Sequence, residues 1–283
     1  MNMHIEKQDG RTLPFDVLGF AGGERHVQLL DLSPLGDSSL TIRASLSSSN
    51  DLMDLLLVAN ALRHVFGQNL AINLELPYLP YSRQDRVCAD GQAFSLEVMA
   101  NLLKMMRIKQ LVTWDCHSET GVMLTQALNV KPAIIIQSDA ALSALLAQKD
   151  SVLVCPDKGA VMRCKDIQQK LGLERVVFCE KQRDPATGKI VKTEVLSDDL
   201  SGQCAIITDD ICDGGYTFIK IAEQLRAKGA ARIVLFVTHG IFSKGLDVFD
   251  GLIDQVITTN SLPQQAHPKL SVINFKHTFG AQS

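Results

Sequence analysis

The sequence predicts an α/β protein built as two tandem units, each a mainly parallel sheet flanked by helices. Three observations carry this expectation. From about Leu70 onward, short β-rich runs alternate with helix-like segments, as repeated strand–helix–strand crossovers require. The runs are continuous in Val, Ile and Leu rather than alternating with polar residues, the pattern of strands covered on both faces. The 283 residues, 46% hydrophobic and 21% charged, suffice for two cores of ordinary size.

The predicted strands are Leu70–Leu76, Gln110–Trp114, Ala133–Ile136, Ser151–Cys155, Val176–Cys179, Ala205–Thr208 and Arg232–Thr238. Helices fit between them. Asp51–Phe66 is periodic, and Gly67 can serve as the residue just past its end. Ser95 can cap Leu96–Met106 and Ser138 can cap Asp139–Gln148, each hydroxyl accepting from a first-turn N–H. A helix over Thr217–Lys228 ends at Gly229. The boundary between units is placed between Pro132 and Ser138, giving residues 1–137 and 138–283. Lys181–Thr193 is charged and contains Pro185 and Gly188, so it reads as a loop or an exposed hairpin, mobile and functional or merely decorative.

Composition excludes several classes of function. A formal net charge of -3 argues against a nucleic-acid binder relying on bulk positive charge, while leaving room for local anion sites. The seven cysteines, at 88, 116, 155, 164, 179, 204 and 212, form no C-x-x-C pair. Their odd number suggests reduced thiols. The first eleven residues carry no apolar signal-like region, and no apolar run approaches a membrane span. A soluble cytoplasmic protein with no membrane or nucleic-acid partner is expected.

The strongest local signal is Ile206-Ile207-Thr208-Asp209-Asp210-Ile211-Cys212-Asp213-Gly214-Gly215-Tyr216-Thr217. An apolar strand ends in two acids, passes a glycine-rich turn and opens a helix at Thr217. Backbone N–H groups and a helix N-terminus then converge, which suits a phosphate dianion. Acids beside a phosphate suit sugar hydroxyls or Mg²⁺. A tight turn with no ligand remains equally compatible with these residues. The segment Asp209–Thr217 resembles the phosphoribosyl-pyrophosphate loop shared by type I phosphoribosyltransferases and ribose-phosphate diphosphokinases.

Further motifs resemble the diphosphokinases specifically, in that family's order. Phe20-Ala21-Gly22-Gly23-Glu24 is similar to F-x-[ND]-G-E, and Tyr78-Leu79-Pro80-Tyr81-Ser82-Arg83-Gln84-Asp85-Arg86 to Y-x-x-Y-[AS]-R-Q-D-[RK]. Asp115-Cys116-His117 stands for D-L-H, and Pro156-Asp157-Lys158-Gly159 for P-D-x-G. Glu180-Lys181-Gln182-Arg183 resembles the K-R-R loop, and Val237-Thr238-His239-Gly240-Ile241-Phe242-Ser243 the V-T-H-G-[LI]-F-S segment.

The resemblance implies two phosphoribosyltransferase type I-like domains with ATP in a cleft between them. It implies ATP binding by Phe20, Glu24, Arg83, Gln84 and Asp85, and Mg²⁺ held by His117 and Asp157. Ribose 5-phosphate falls to Asp209, Asp210, Asp213, Gly214, Gly215, Tyr216 and Thr217, and the catalytic residues are Lys181 and Arg183, on a mobile loop spanning 180–195. Homo-oligomers, dimers or hexamers, are implied too. Taken alone, each group also has an ordinary reading: a solvated loop for Arg83–Arg86, a structural histidine for His117, a helix cap for Asp157, a surface charge run for Lys181–Arg183.

Four positions depart from the pattern. Gly22 replaces an Asn or Asp, Gly91 lacks a basic residue, Gly214 lacks a Thr hydroxyl, and Tyr216 replaces a Gly. Lys158 adds a charge beside Asp157. The expectation is a divergent ribose-phosphate diphosphokinase. A catalytically inactive regulatory relative and a type I phosphoribosyltransferase are the alternatives.

Overall fold

The computed structural model describes residues 2–35, 39–183, 190–197 and 199–279. The chain divides into two compact units, residues 1–130 with 261–263 and 276–283, and residues 131–260 with 264–275. Residues 276–279 thus return to the first unit.

The first unit contains β1 (Asn2–Lys7), β2 (Thr12–Leu13), β3 (Phe15–Gly19), β4 (Arg25–Leu29), β5 (Leu40–Ser45), α1 (Ser49–Phe66), β6 (Ile72–Glu75), α2 (Ser95–Met105), β7 (Gln110–Trp114), α3 (Glu119–Thr125) and β8 (Leu128–Val130). Its sheet runs β2-β1-β5-β6-β7-β8; β1 is antiparallel to both neighbours, and β5 to β8 are parallel. β3 and β4 form a separate antiparallel hairpin. α1 begins with a capping box: Asp51 N–H donates to Ser48 Oγ, and Ser48 N–H donates to the Asp51 carboxylate. Its Leu55, Val58, Ala59 and Leu62 share one helical face and are buried in the same core as Ile42, Ile72 and Leu74 of the sheet. Burying each larger side chain contributes about 1.5–3 kcal/mol.

The second unit contains α4 (Pro132–Ser138), α5 (Ala140–Leu146), β9 (Ser151–Cys155), α6 (Val161–Leu171), β10 (Val176–Arg183), β11 (Ile190–Val195), β12 (Cys204–Cys212), α7 (Tyr216–Ala227), β13 (Arg232–Gly240), β14 (Gln255–Thr259) and β15 (Leu270–Ile273), with short 3₁₀ turns at Lys158–Ala160 and Asp247–Phe249. The sheet runs β11-β10-β9-β12-β13-β14-β15, parallel except for β11. Ile207, Ile221, Leu225, Ile233, Leu235 and Phe249 are among the residues of its core.

The expected fold class is therefore found, with differences of detail. Ala133–Ile136 is helical, inside α4, and the strand of that region is β8. A short apolar run does not distinguish strand from helix, and Pro132 at the first helical position, where its missing N–H costs nothing, decides it. Asp139, not Ser138, caps α5, accepting from Leu142 N–H at 2.8 Å. α2 starts at Ser95 with no side-chain cap. β12 and β13 run past Thr208 and Thr238 to Cys212 and Gly240, because their ladder continues through Cys212↔Gly240. The charged segment contains strand: Lys181 and Arg183 lie on β10, paired with Thr193 and Ile190 of β11. Pro185 and Gly188 lie outside the described residues. Among the described residues, no helix is long and apolar enough to cross a membrane. Among the described residues no disulfide is formed, and five of the seven cysteines are buried.

Candidate active site

Parallel strands place the loops at their carboxyl ends together, and that is where ligand sites of such sheets lie. In the second unit β9 and β12 are neighbours, paired through Val154↔Ile207. Just beyond lie Asp157, two residues past the end of β9, and Asp209 and Asp210 on β12. Arg163, on α6, joins the pair: its Nη1 lies 3.0 Å from Asp209 Oδ1 and its Nη2 3.5 Å from Asp210 Oδ2. Burial, then the adjacent Asp210, pushes the Asp209 carboxyl well above the usual carboxylate range; Arg163 opposes this and Asp157 adds to it. The three carboxylates sense one another, so the site favours a cation or hydroxyl donors.

Beyond Cys212 the chain turns through Asp213, Gly214 and Gly215 into α7. Gly215 is left-handed, φ 79°, and a Cβ there would lie 2.7 Å from Cζ of the buried Phe249. Glycine is required twice over, for conformation and for space. The N-cap residue of α7, Gly215, has no side chain to cap it, and the partial positive charge of the helix N-terminus suits an anion. Tyr216 opens the helix with an exposed ring beneath Lys220 Nζ, 6.0 Å from the centroid. Ile241 and Phe242 N–H donate to Cys212 O, and Ser243 N–H to Asp213 O. The segment Val237–Ser243 is thus the brace of this turn.

In the first unit, Arg83, Gln84 and Asp85 follow β6. Arg83 and Gln84 are exposed; Asp85 is half-buried, 3.7 Å from Arg86 Nε. Tyr81 is held at φ 64°, and Gln84 N–H donates to Tyr81 O at 2.9 Å. A cavity of about 340 Å³ opens here, lined by Ser47, Ser48, Ser49, Tyr78, Tyr81 and Gln84 among others. Asp51 already fills the α1 N-terminus, accepting from Ser47 N–H, Ser47 Oγ and Ser48 N–H. This cavity therefore suits an uncharged polar group better than a phosphate.

Phe20 and Glu24 sit at the tip of the β3–β4 hairpin, where Phe20 N–H donates to Glu24 O at 2.9 Å. Phe20 is 55% exposed, an aromatic face offered to solvent. A Cβ on Gly22 would lie 2.9 Å from Glu24 Oε2, so the glycine leaves that carboxylate its place. Bidentate Arg25 on the fully buried Asp54 of α1 anchors the hairpin, at 2.8 and 2.6 Å.

Asp115 follows β7 with φ 39°, its N–H on Val130 O; His117, two residues on, is exposed. Lys181 lies on β10 three residues past Phe178, which pairs with Cys155 of β9. The side chains of Lys181 and Arg183 lie outside the described residues.

The predicted residues therefore fall into two sets. Phe20, Glu24, Arg83, Gln84, Asp85 and His117 are in the first unit; Asp157, Lys181, Arg183 and Asp209–Thr217 are in the second. Among the described residues, no three His, Cys, Asp or Glu side chains could by themselves hold a metal. Asp157 Oδ1 caps the turn after β9, accepting from Ala160 N–H at 3.1 Å. The donors fit Mg²⁺ in its usual mode, one or two carboxylates with substrate phosphates completing the shell. Arg163 was not singled out from sequence; its signal was an arginine six residues after Asp157 on a helix entering the same strand end.

Two family models match this chain. Residues 6–106 match the N-terminal domain of ribose phosphate pyrophosphokinase, and residues 165–277 a phosphoribosyl synthetase-associated domain. The ribose-phosphate pyrophosphokinase of Mycoplasmopsis pulmonis is 30% identical over 266 residues, covering 90% of this chain and 80% of the relative. That of Thermococcus kodakarensis is 29% identical over 265 residues, covering 92% and 89%. The crystal structure of phosphoribosylpyrophosphate synthetase from Mycobacterium smegmatis shares the fold, with a TM-score of 0.78, 24% identity and 93% and 87% coverage. A tandem α/β protein with two mainly parallel sheets flanked by helices is thus the class. The chain belongs to the ribose-phosphate pyrophosphokinase family, as a divergent member.

Proposed function

We propose that this chain transfers the β,γ-diphosphoryl group of ATP to the C1 hydroxyl of ribose 5-phosphate, giving phosphoribosyl pyrophosphate and AMP. The observation carrying this is the Asp209–Asp210 pair, clamped by Arg163 beside an uncapped helix N-terminus entered through a left-handed Gly215. The 5-phosphate rests on the Asp213–Thr217 turn, taking N–H donors at the start of α7. The ribose hydroxyls donate to Asp209 and Asp210, which fixes the sugar at both ends and orients C1. Phe20, Glu24, Arg83, Gln84 and Asp85 bind the nucleotide; the Arg83 guanidinium suits phosphate and the Gln84 amide a purine edge.

The C1 oxygen attacks the β-phosphorus, the bond from that phosphorus to the α,β-bridging oxygen breaks, and AMP departs with the oxygen. The hydroxyl proton passes to solvent. Mg²⁺, when bound, neutralises phosphate charge, and Asp157 and His117 are the residues that would hold it. Lys181 and Arg183 compensate charge on the transferred group, which this chemistry needs more than a covalent intermediate.

The test supplies ATP, Mg²⁺ and ribose 5-phosphate and follows both products by chromatography. AMP and phosphoribosyl pyrophosphate should appear in equal amounts, and Lys181→Ala should lower kcat by about 10²–10³-fold. Absence of AMP under every nucleotide and metal condition would replace this reading with the non-catalytic regulatory one.

A further inference from the structure

Glu75 is a carboxylate with 2% side-chain exposure, on β6 between the fully buried Leu74 and Leu76. Its oxygens are shared among three other segments of the chain. It is ion-paired with Arg43 of β5, and Oε1 accepts from Trp114 Nε1 of β7 and from His277 N–H, both at 3.0 Å. The returning chain end makes further bonds to the same group. Arg43 Nη2 donates to His277 O at 3.0 Å, and the Arg43 guanidinium lies 5.8 Å from the Phe279 ring centroid. Arg43 Nε donates to Glu6 at 3.0 Å and Lys276 Nζ to Glu6 at 2.9 Å. A buried charge is tolerated only when so satisfied.

The two strands joined by this carboxylate lead straight into the candidate nucleotide loops. Thr113 Oγ1 and Trp114 N–H both donate to Pro77 O, at 3.0 and 2.9 Å, fixing the first residue of the loop that carries Arg83 and Gln84. Trp114 is therefore held at two points, by its backbone to Pro77 and by its indole to Glu75. Asp115 comes next. Both loops contain a left-handed non-glycine residue, Tyr81 and Asp115. Such conformations persist only where surrounding contacts over-determine them.

We infer that Glu75 is a positioning residue for the nucleotide and that Lys276–Phe279, the returning end of the chain, completes its action. This rests on the assignment of ATP to the Arg83–Asp85 loop. Without the segment, Glu75 loses one donor, Arg43 loses an acceptor and a ring, and water reaches the pair. Trp114, and with it Pro77 and Asp115, is then free to shift.

The experiment compares the full chain with one ending at Phe275 and with Phe279→Ala. None of residues 276–279 is in the first unit's buried core, so the shortened chain is expected to fold, which circular dichroism checks. Trp114 is the single tryptophan, and its emission reports on the network without requiring turnover. Mg·ATP binding is titrated by that emission and by equilibrium dialysis, and KM is measured for both substrates.

Shortening should redden the emission, weaken Mg·ATP binding and raise its KM by about tenfold, with KM for ribose 5-phosphate within about twofold. Phe279→Ala should weaken Mg·ATP binding by about threefold in the same selective way. A folded Phe279→Ala or shortened chain with full ATP affinity overturns the inference. So does equal weakening of both substrates, which marks a merely structural role. Failure of the full chain to bind Mg·ATP removes the nucleotide assignment itself, and that arm is read before any variant.

Discussion

Replacing Gly215 with alanine tests whether the phosphate turn is built as described, with the adjacent Gly214 as its internal control. A Cβ on Gly215 would meet Phe249 Cζ at 2.7 Å and Cε1 at 2.9 Å, in a left-handed backbone. The left-handed conformation costs an alanine roughly 1–2 kcal/mol, and overpacking a core ring costs roughly 1–3. The sum is roughly 2–5 kcal/mol, because Phe249 is 1% exposed and packed in the second core, with little room to retreat. At Gly214 the backbone is not left-handed, and an added Cβ would touch only Lys244 Cγ at 3.6 Å and Ser243 Oγ at 3.9 Å. Alanine there should stabilise by roughly 0.4–1 kcal/mol, by reducing the freedom of the unfolded chain. Urea unfolding followed by circular dichroism distinguishes the two through their midpoints at unchanged slope. A Gly215→Ala protein as stable as wild type refutes the reasoning, since both cost terms would then be absent. The same geometry makes Gly214→Thr sterically acceptable, and the hydroxyl so restored should lower KM for ribose 5-phosphate by about tenfold, the worth of one charge-assisted hydrogen bond.

Two further outcomes follow from the charged groups. Arg163→Met leaves Asp209 and Asp210 without their shared cation; removing one partner of a buried pair costs about 3–5 kcal/mol, and protonation of Asp209 caps the loss. Stability should fall, with the loss shrinking as the pH is lowered and Asp209 takes up a proton; a pH-independent loss would contradict the pairing. His277 is held below the ordinary imidazole range by burial and then Arg43, and His4 by burial and then Arg43, with Glu6 opposing and Lys276 adding. Below about pH 6.5 the unfolded chain binds more protons at these sites than the folded one, so their contribution to stability is full above that pH and is lost as pH falls through the folded values. The difference between wild type and His277→Asn, followed by urea unfolding across that range, should show this slope, and a flat difference would exclude it.

The strands that sequence made legible are those dominated by apolar residues: Gln110–Trp114 and Ser151–Cys155 are found at their predicted limits. β1 to β5 were missed because polar and apolar residues mix along them, and β1 and β5 find each other only across some forty residues of chain. β12 was cut short at Thr208 because acids end a hydrophobic run on paper. In the fold its ladder continues beneath them, and that continuation presents Asp209 and Asp210 from a rigid strand. The site motifs were visible because phosphate and sugar chemistry demands particular residues at short spacing. Arg163 and Glu75 were not, since each acts through groups distant in sequence. Arg163 reaches a pair 46 residues away, and Glu75 meets an N–H 202 residues away. Single-sequence reading detects what a loop contains; what holds the loop is set by the contacts between strands. Replacing Arg43, Glu75 and Trp114 together by apolar residues would preserve every motif while removing the bonds that orient two of them. Nucleotide affinity in that variant is therefore expected to fall although every motif is intact, and unchanged affinity in a folded triple variant would refute the proposed role of the network.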